Sequence, residues 1–569
     1  MTARVAIPLT IGVTSHRNLV ANEIESIRHA VRDFLARMRH EFPHMPLVVV
    51  SALAEGGDQL VAEEALAAGA RLIAPLPLAR EQYAEDFTNA AARARFNALC
   101  DAAQVIELPR VAEGNTGATA PTGHERDRHY AQSGVYVSDH CHILLAIWDG
   151  KPSALLGGTA QIVRYRLSGE RPALAERRRA SPRSLLGDAN ERLAYHIVCS
   201  RDQADGAPAS PLHPLQAHWR SGDRNLPGDG AIPGDFRAML ARAGEFNADA
   251  DTRSATIATH PGLVDNPGPG TDAIDRLFRA ADWLAIHFQR RVLLAMRGLY
   301  TVAALMAIAF TAYDNLPAQD DMIYVFLLLF ALGGFLVVVA NRRGWHRKYL
   351  DYRALAEGLR VQWYWWRIGL PLGGDAAFAR DNFLQNQDAD LGWVRDAMRS
   401  AELDCAMRDG ADAEREIAVV AREWVGDAQH GGQLDYYRRK AAQRARTHRF
   451  TETIDAASLC VGIGISIVLA AFAARLSADA KNDLVVVMAI FSIVAGVRAA
   501  YAYKKADKEL IKQYRHMQRI FGAARKALDQ AADAAEQREV LRLLGEAALA
   551  EQVEWALMHR QRPLEHNRL

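Results

Sequence analysis

Apolar residues recur along this chain in two rhythms. Through roughly the first 200 residues, short apolar runs alternate with amphipathic stretches. Ala6 to Thr14, Pro46 to Ser51, Arg71 to Pro75, Gln104 to Leu108, His142 to Trp148 and Ala194 to Cys199 read as strands, and Glu23 to His40 and Gly57 to Ala68 as helices. Continuous apolar strands separated by helices predict a parallel sheet buried on both faces, a doubly wound α/β domain. In the second half the runs lengthen. Two hairpins, about Leu294 to Asn341 and about Ala456 to Tyr503, each hold two apolar stretches. A bilayer core takes about 20 apolar residues per helix, and Met322 to Asn341 and Leu484 to Tyr503 meet that length. The expected fold class is therefore an α/β domain followed by an all-α membrane domain with four transmembrane helices.

Charge gives the hairpins an orientation. Arg290, Arg291, Arg342, Arg343, Arg347 and Lys348 bracket the first, whose connecting loop holds Asp314, Asp320 and Asp321, and Arg444, Arg446, Arg449, Lys504, Lys505 and Lys508 bracket the second. Basic residues stay on the cytoplasmic side, which predicts a multi-pass protein of a bacterial inner membrane with both termini and the N-terminal domain in the cytoplasm. The hairpins also echo one another. Asp321 and Asp483, Arg342 and Lys504, and Tyr352-Arg353 and Tyr514-Arg515 all share one offset (483 − 321 = 162). An ungapped offset points to duplication, and hairpins entering from the same side would make a parallel repeat. The chain divides accordingly into a binding domain over 1–200, a flexible extension over 201–273, a first two-helix unit over 274–370, a charged helical segment over 371–445, and a second two-helix unit with closing helices over 446–569.

Composition narrows the function. With 569 residues, half of them hydrophobic, and a net charge of +1, the chain lacks the basic excess of a nucleic-acid binder, and no nucleic-acid partner is expected. Cys100, Cys141, Cys199, Cys405 and Cys460 show no CxxC spacing, which argues for a reducing compartment and against structural zinc. The N-terminal residues MTARVAIPLTIGVTSHRN carry no secretory signal.

Candidate chemistry gathers at the carboxyl ends of the strands, where α/β sheets bind their ligands. The first strand ends in Thr14, Ser15, His16 and Arg17. The second leads through Ser51 to Gly56, Gly57, Asp58 and Gln59, and the late strand ends in Trp148, Asp149 and Lys151, followed by Gly157, Gly158 and Thr159. Glycines ahead of a helix let backbone approach an anion, and the helix N-terminus offers free N–H groups. Arg17 would clamp a phosphate in bidentate fashion, and Asp58 would cap its helix or accept from a ribose hydroxyl. A tight strand-to-helix turn explains each glycine pair alone; their concentration at one sheet edge favours a nucleotide. Neither G-x-G-x-x-G nor a Walker loop is present, which disfavours conventional dehydrogenases and P-loop ATPases.

The stretch Ser51-Ala52-Leu53-Ala54-Glu55-Gly56-Gly57-Asp58, with Ala65-Leu66 following, resembles the Ser-Gly-Leu-Ala-x-Gly-Ile-Asp motif of the DNA-processing protein A family. Gly157-Gly158-Thr159 resembles a degenerate glycine-rich loop of LOG-type nucleotide phosphoribohydrolases. Both families belong to the SLOG superfamily of Rossmann-like domains, and the resemblance covers roughly residues 1–200. The membrane half resembles the SLATT class of two-helix effectors of prokaryotic conflict systems, on Tyr352 to Glu357 and on Gln552 to Trp555 with His559 to Pro563. The resemblance implies a sensor of a nucleotide or ADP-ribose-like ligand that controls a pore in antiviral defence. The departures are specific. Ile162 stands where LOG hydrolases carry a glutamate, and Ala52 where the DNA-processing motif has glycine.

Other segments read more plainly. Leu167 to Asp272, with Arg177, Arg178 and Arg179, reads as loops around one more strand. The aromatic, basic stretch Trp345 to Arg367 is expected to serve helix packing or an interfacial belt. Leu510, Tyr514, Met517 and Phe521 recur at helical spacing and are offered as subunit contacts of a homo-oligomer. Arg297 and Arg498 are expected to snorkel toward the cytoplasmic surface. Asp320, Asp321 and Asp483 stand at the outer mouth, as an acidic ring or as plain loop residues. No catalytic set and no metal site is assigned. The reading is a ligand-gated pore, with a membrane-anchored nucleotide hydrolase and a non-conducting scaffold as alternatives.

Overall fold

The computed structural model describes residues 5–87, 89–108, 123–169, 192–222, 224–225, 230–263, 272–316, 319–370, 383–384, 391–405, 410–426, 431–472 and 474–560. Arg177 to Arg179 and Gln561 to Pro563 lie outside them. The chain forms two units, one of Met1–Ala280 with Leu372–Met407, the other of Ala281–Pro371 with Arg408–Leu569.

The first unit is built on an eight-stranded sheet: β1 (Leu9–Ser15), β2 (Leu47–Val50), β3 (Arg71–Leu76), β4 (Gln104–Glu107), β5 (Ile143–Trp148), β6 (Leu193–Val198), β7 (Ala217–Ser221) and the two-residue β8 (Arg224–Asn225), in the order β4-β3-β2-β1-β5-β6-β7-β8. From β4 to β6 all neighbours run parallel; β7 and β8 pair antiparallel. Its helices are α1 (Ile24–Glu41), α2 (Gly57–Ala67), α3 (Arg80–Ala84), α4 (Ala90–Ala102), α5 (His124–Asp139), α6 (Thr159–Ser168), α7 (Gly234–Thr252) and α8 (Ser254–Ala258). Strand side chains alternate between two covered faces. Val48, Val50, Leu144, Ala146 and Ala194 pack with Val137 of α5 and with Ile162 and Val163 of α6. On the other face Phe34 of α1 stacks on Tyr195 at 4.5 Å and meets Trp219 at 6.1 Å. Both faces being dry explains why β1, β2, β3 and β5 read as apolar runs, whereas β4 at the sheet edge, QVIE, is exposed at both ends.

The reading of Leu167 to Asp272 as flexible loops around one more strand understates its order. Residues 217–221 add the antiparallel strand β7, and α7 is a 19-residue helix burying Phe236, Met239, Leu240, Ala243, Phe246 and Ala250. These positions follow a helical period; the Gly and Pro residues flanking them obscured it. A further helix, α12 (Gly392–Glu402), belongs to this unit although it follows the first hairpin in sequence. Trp393 packs on Phe246 at 5.8 Å, Gln104 Nε2 donates to the Leu403 carbonyl at 3.0 Å, and Arg71 pairs with Asp404 at 2.7 Å.

The second unit is helical. The helix α9 (Asp272–Asn315) enters it from the first, and α10 (Met322–Arg343) follows. Then come α11 (Trp345–Arg367), α13 (Gly410–Val420) with a π-helical turn over Ala421–Val425, α14 (Gly432–Phe472), α15 (Ala478–Lys504), α16 (Asp507–Gln530) and α17 (Ala534–Arg560). Four stretches, led by α9, α10, α14 and α15, are long and apolar enough to cross a membrane. Leu328, Phe330, Phe335, Leu459 and Ile467 are exposed along them, as expected where lipid is the solvent. The apolar spans are parts of longer helices: α9 and α14 each begin some 22 to 24 residues before the hairpin boundaries read from sequence (294 − 272; 456 − 432).

Two further expectations are settled here. The Trp345 to Arg367 aromatics turn inward: Trp363, Trp365 and Trp366 are buried, and Tyr364 stacks on Trp424 at 4.7 Å. Leu510, Met517 and Phe521 are buried within the same chain, with Phe521 against Tyr437 and Trp424. An apolar stripe already covered is not available to another subunit, so that assignment falls for these three. The common offset extends to the backbone. Each hairpin's second helix breaks at one left-handed residue, Gly344 with φ 58° and Ala506 with φ 54°, and 506 − 344 is again 162. Asp483 lies inside α15, whose first turn is capped by Ser477 Oγ accepting from the Ala480 N–H at 3.2 Å; Asp321 directly precedes α10.

Candidate functional site at the β1/β5 strand ends

Strand order reverses between β1 and β5: the chain adds β2, β3 and β4 on one side of β1, then β5 and β6 on the other. Adjacent connections leaving in opposite directions open a crevice at that point, beyond the carboxyl ends of the strands. Residues from β1, the β2–α2 turn, the β5 end and the start of α6 meet there.

Ser15 is central. Its Oγ donates to Asp58 Oδ1 at 2.6 Å, and its carbonyl accepts from Thr159 Oγ1 at 2.7 Å, which ties the first turns of α2 and α6 to the end of β1. His16 is seated between strands: its N–H donates to the Ile147 carbonyl at 3.0 Å, its carbonyl accepts from the Gly57 N–H at 3.3 Å, and its Nε2 lies 3.1 Å from Asp149 Oδ1. The glycines permit this closeness. A Cβ on Gly57 would stand 2.6 Å from that of Ser15, and Gly56, at φ +92°, would press one to 2.3 Å from the Arg17 carbonyl. The turn is strained as well, because buried Leu53 takes a left-handed φ of 58°. A residue with a Cβ held there costs on the order of 1–3 kcal/mol and persists where the surroundings fix it, commonly at ligand sites.

Electrostatics follow from burial. The Asp58 carboxyl is pushed up to about 7 by loss of solvent, against the opposing pull of the Ser15 hydroxyl, the Arg17 charge and backbone N–H groups of Ala54 and Ser15. Burial lowers the affinity of His16 for a proton more than Asp149 restores it, with Arg201 adding to the decrease. At neutral pH the imidazole is therefore uncharged. Arg17 is exposed, its guanidinium 5.7 Å from the Tyr130 ring centre.

The remaining sequence-assigned residues take other posts. Ser51 Oγ accepts from the Leu53 N–H at 3.2 Å, and Gln59 Nε2 reaches the carbonyls of Leu53 and Ala92 at 3.4 and 3.3 Å. Thr14 is buried in β1, on the face opposite Ser15. Trp148 donates from Nε1 to the Lys151 carbonyl at 3.1 Å. Lys151 Nζ is engaged by the Asp205 carbonyl and carboxylate, both at 2.8 Å, so it does not face the crevice as a free cation. Gly157 and Gly158 shape the entry to α6, with the Gly157 N–H on Gln161 Oε1 at 2.6 Å.

Arg201 escapes sequence reasoning. An antiparallel bridge between Leu19 and Arg201, together with the Asp202 N–H on the Asn18 carbonyl at 3.0 Å, folds the loop after β6 over the loop after β1. Glu23 fastens the same corner by accepting from the Ser200 N–H at 2.8 Å. Arg201 Nε is buried without a hydrogen-bond partner among the described residues. A guanidinium with an unanswered donor, close enough to His16 to lower its affinity for a proton, is what an incoming oxyanion satisfies. No motif marks Arg201, because it lies 185 residues beyond His16 (201 − 16). Among the described residues no three His, Cys, Asp or Glu side chains are grouped to hold a metal ion. Compared with family models, curated proteins and solved structures, the chain matches none.

Proposed function

We propose that this chain is a membrane effector of prokaryotic defence: its α/β unit, Rossmann-like and related to SLOG domains, senses a nucleotide-derived ligand, and its two hairpins, SLATT-like copies of one unit, open a pore. One observation carries the reading: the strand order reverses at β1/β5, where Ser15, His16, Asp58, Asp149 and Thr159 meet, in a chain with four bilayer-length apolar helices. Arg17 and Arg201 bind phosphate, the first turns of α2 and α6 supply N–H groups, and Asp58 meets a ribose hydroxyl. The shared offset and the matching backbone breaks at Gly344 and Ala506 support duplication. The basic hairpin bases support a cytoplasmic side for both termini and the α/β unit. In an oligomer the spans surround a pore with Asp320, Asp321 and Asp483, all exposed, at its outer mouth. Ligand energy opens that pore to the extent that the open arrangement binds the ligand more tightly.

The test is dye efflux from liposomes holding the full chain, with ATP, NAD, cyclic nucleotides and ADP-ribose added in turn. At least one is expected to bind and to raise efflux; a protein whose permeability ignores every nucleotide it binds is not a gated pore.

A second reading, a nucleotide hydrolase, is favoured by the His16–Asp149 pair. A neutral imidazole 3.1 Å from a carboxylate can accept a proton from water. It predicts product release from a bound nucleotide, abolished in His16→Gln; binding without turnover leaves the sensor.

A further inference from the structure

Arg498 lies six residues before Lys504 (504 − 498), within the apolar run of α15. A rise of 1.5 Å per residue puts it about 9 Å deeper than the basic base of the hairpin. Snorkelling would carry its head back to water. Instead Arg498 Nε stands 3.5 Å from Asp455 Oδ1 on α14. Both atoms are buried and neither has a hydrogen-bond partner among the described residues, so they face one another as an ion pair alone. Ionisable groups within spans are rare and costly, and mark function by default.

The hairpin architecture does not require this pair. At the matching positions, 162 residues earlier, the first hairpin has Leu293 and Leu336. The surrounding contact is loose: a Cβ on Gly464 or Gly496 would meet nothing within 4 Å, and one on Gly462 only Ser492 Oγ at 4.0 Å. Two or three residues past Arg498 the first hairpin touches the second, where the Tyr300 hydroxyl donates to the Ala500 carbonyl at 3.4 Å and its ring meets Tyr501 edge-on at 5.5 Å. A shift of α15 along α14 therefore separates the charges and disturbs this polar link between the hairpins at one stroke.

We propose that Asp455 and Arg498 form an intramembrane latch holding the second hairpin in its closed arrangement, parted when the pore opens. The latch rests on the pore reading above and adds to it a named release point. A weakly interlocked helix pair needs a directional tie to occupy one arrangement, and two mutually dependent charges supply it: together they neutralise one another, apart each must find water. An opening lumen provides that water.

The test reads ligand-free dye efflux from liposomes containing the full chain. Asp455→Asn and Arg498→Gln each remove one charge and are expected to raise basal efflux at least tenfold. The reversed pair Asp455→Arg/Arg498→Asp restores attraction and is expected to return efflux toward that of the parent. Asp455→Leu/Arg498→Leu copies the first hairpin and so is compatible with assembly even where a lone charge is not; it is expected to stay closed without ligand. Single variants as tight as the parent, or a reversed pair as leaky as the singles, overturn the latch. If some nucleotide opens the parent while the single variants remain silent, the latch alone is wrong; if neither nucleotides nor variants permeabilise the vesicles, the pore reading falls and takes the latch with it.

Discussion

Arg17 and Asp58 approach the same crevice with opposite needs. Arg17 is exposed, and its guanidinium approaches the Tyr130 ring and acts on Asp58 through its charge. Arg17→Ala is expected to weaken nucleotide binding at least tenfold by titration calorimetry while leaving the melting temperature unchanged; intact affinity would remove Arg17 from the site. Asp58 is buried, and its carboxyl is raised to about 7 from an ordinary 3.8. The unfolded chain releases this proton more readily, so the residue's contribution to stability is fully present below about pH 4 and is lost as pH rises through about 7. At complete ionisation the loss is on the order of 4 kcal/mol. Asp58→Asn keeps the acceptor for Ser15 but cannot ionise. Its melting temperature relative to the parent is expected to climb between pH 4 and 8, and a constant difference would contradict the buried-acid account. At this scale Ser15, His16, Gly57, Asp58, Asp149 and Thr159 were legible because strand ends converge wherever a parallel sheet forms. Lys151 and Arg201 were not, since loop partners far away in sequence decide where each points.

Elements repeat this division between local and distant causes. The parallel strands were legible from their apolar runs; β7, reading AHWRS between β6 and the two-residue edge strand β8, carries little period and was not located, and α7 was missed because its apolar face is set in Ala, Arg and Gly. The breaks after α10 and α15 offer a sharper test of element design. Left-handed backbone costs a residue with a Cβ roughly 1–2 kcal/mol and glycine little. Ala506→Gly is thus expected to stabilise the protein by about 1 kcal/mol and Gly344→Ala to destabilise it by about the same, as read from thermal unfolding in detergent. Opposite responses at matched positions would establish that both copies depend on the same kink; equal responses would mean that the left-handed turn is incidental to one.

For the whole molecule, the informative fact is that the first unit is discontinuous. A sequence reading that ended the binding domain near residue 200 and made 371–445 a spacer separated parts that share a core. A fragment ending at Ala280 lacks Trp393, Leu403 and Asp404 and uncovers Phe246 and the exposed edge near Gln104. That fragment is expected to aggregate, whereas one with residues 372–407 rejoined through a flexible linker is expected to be monodisperse by size-exclusion chromatography. Equal solubility of the two would show α12 to be dispensable. Membrane placement is tested alongside it: single cysteines introduced at Asp320 and Asp483 are expected to react with an impermeant maleimide from outside the cell, and one at Arg343 from inside.

Discontinuity also sets an order of events during synthesis. A ribosome that has made the last residue of Met1–Ala280 must still translate 127 more (407 − 280) before the first unit has all its parts. At 5–20 residues per second this takes roughly 6–25 s. The first hairpin emerges in that interval, ahead of α12. The nascent α/β unit must therefore wait, incomplete, while the first pair of apolar helices emerges, and it gains its final helix only afterwards. An α/β unit completed by residues 372–407 cannot reach its final packing before the first pair of apolar helices has been made.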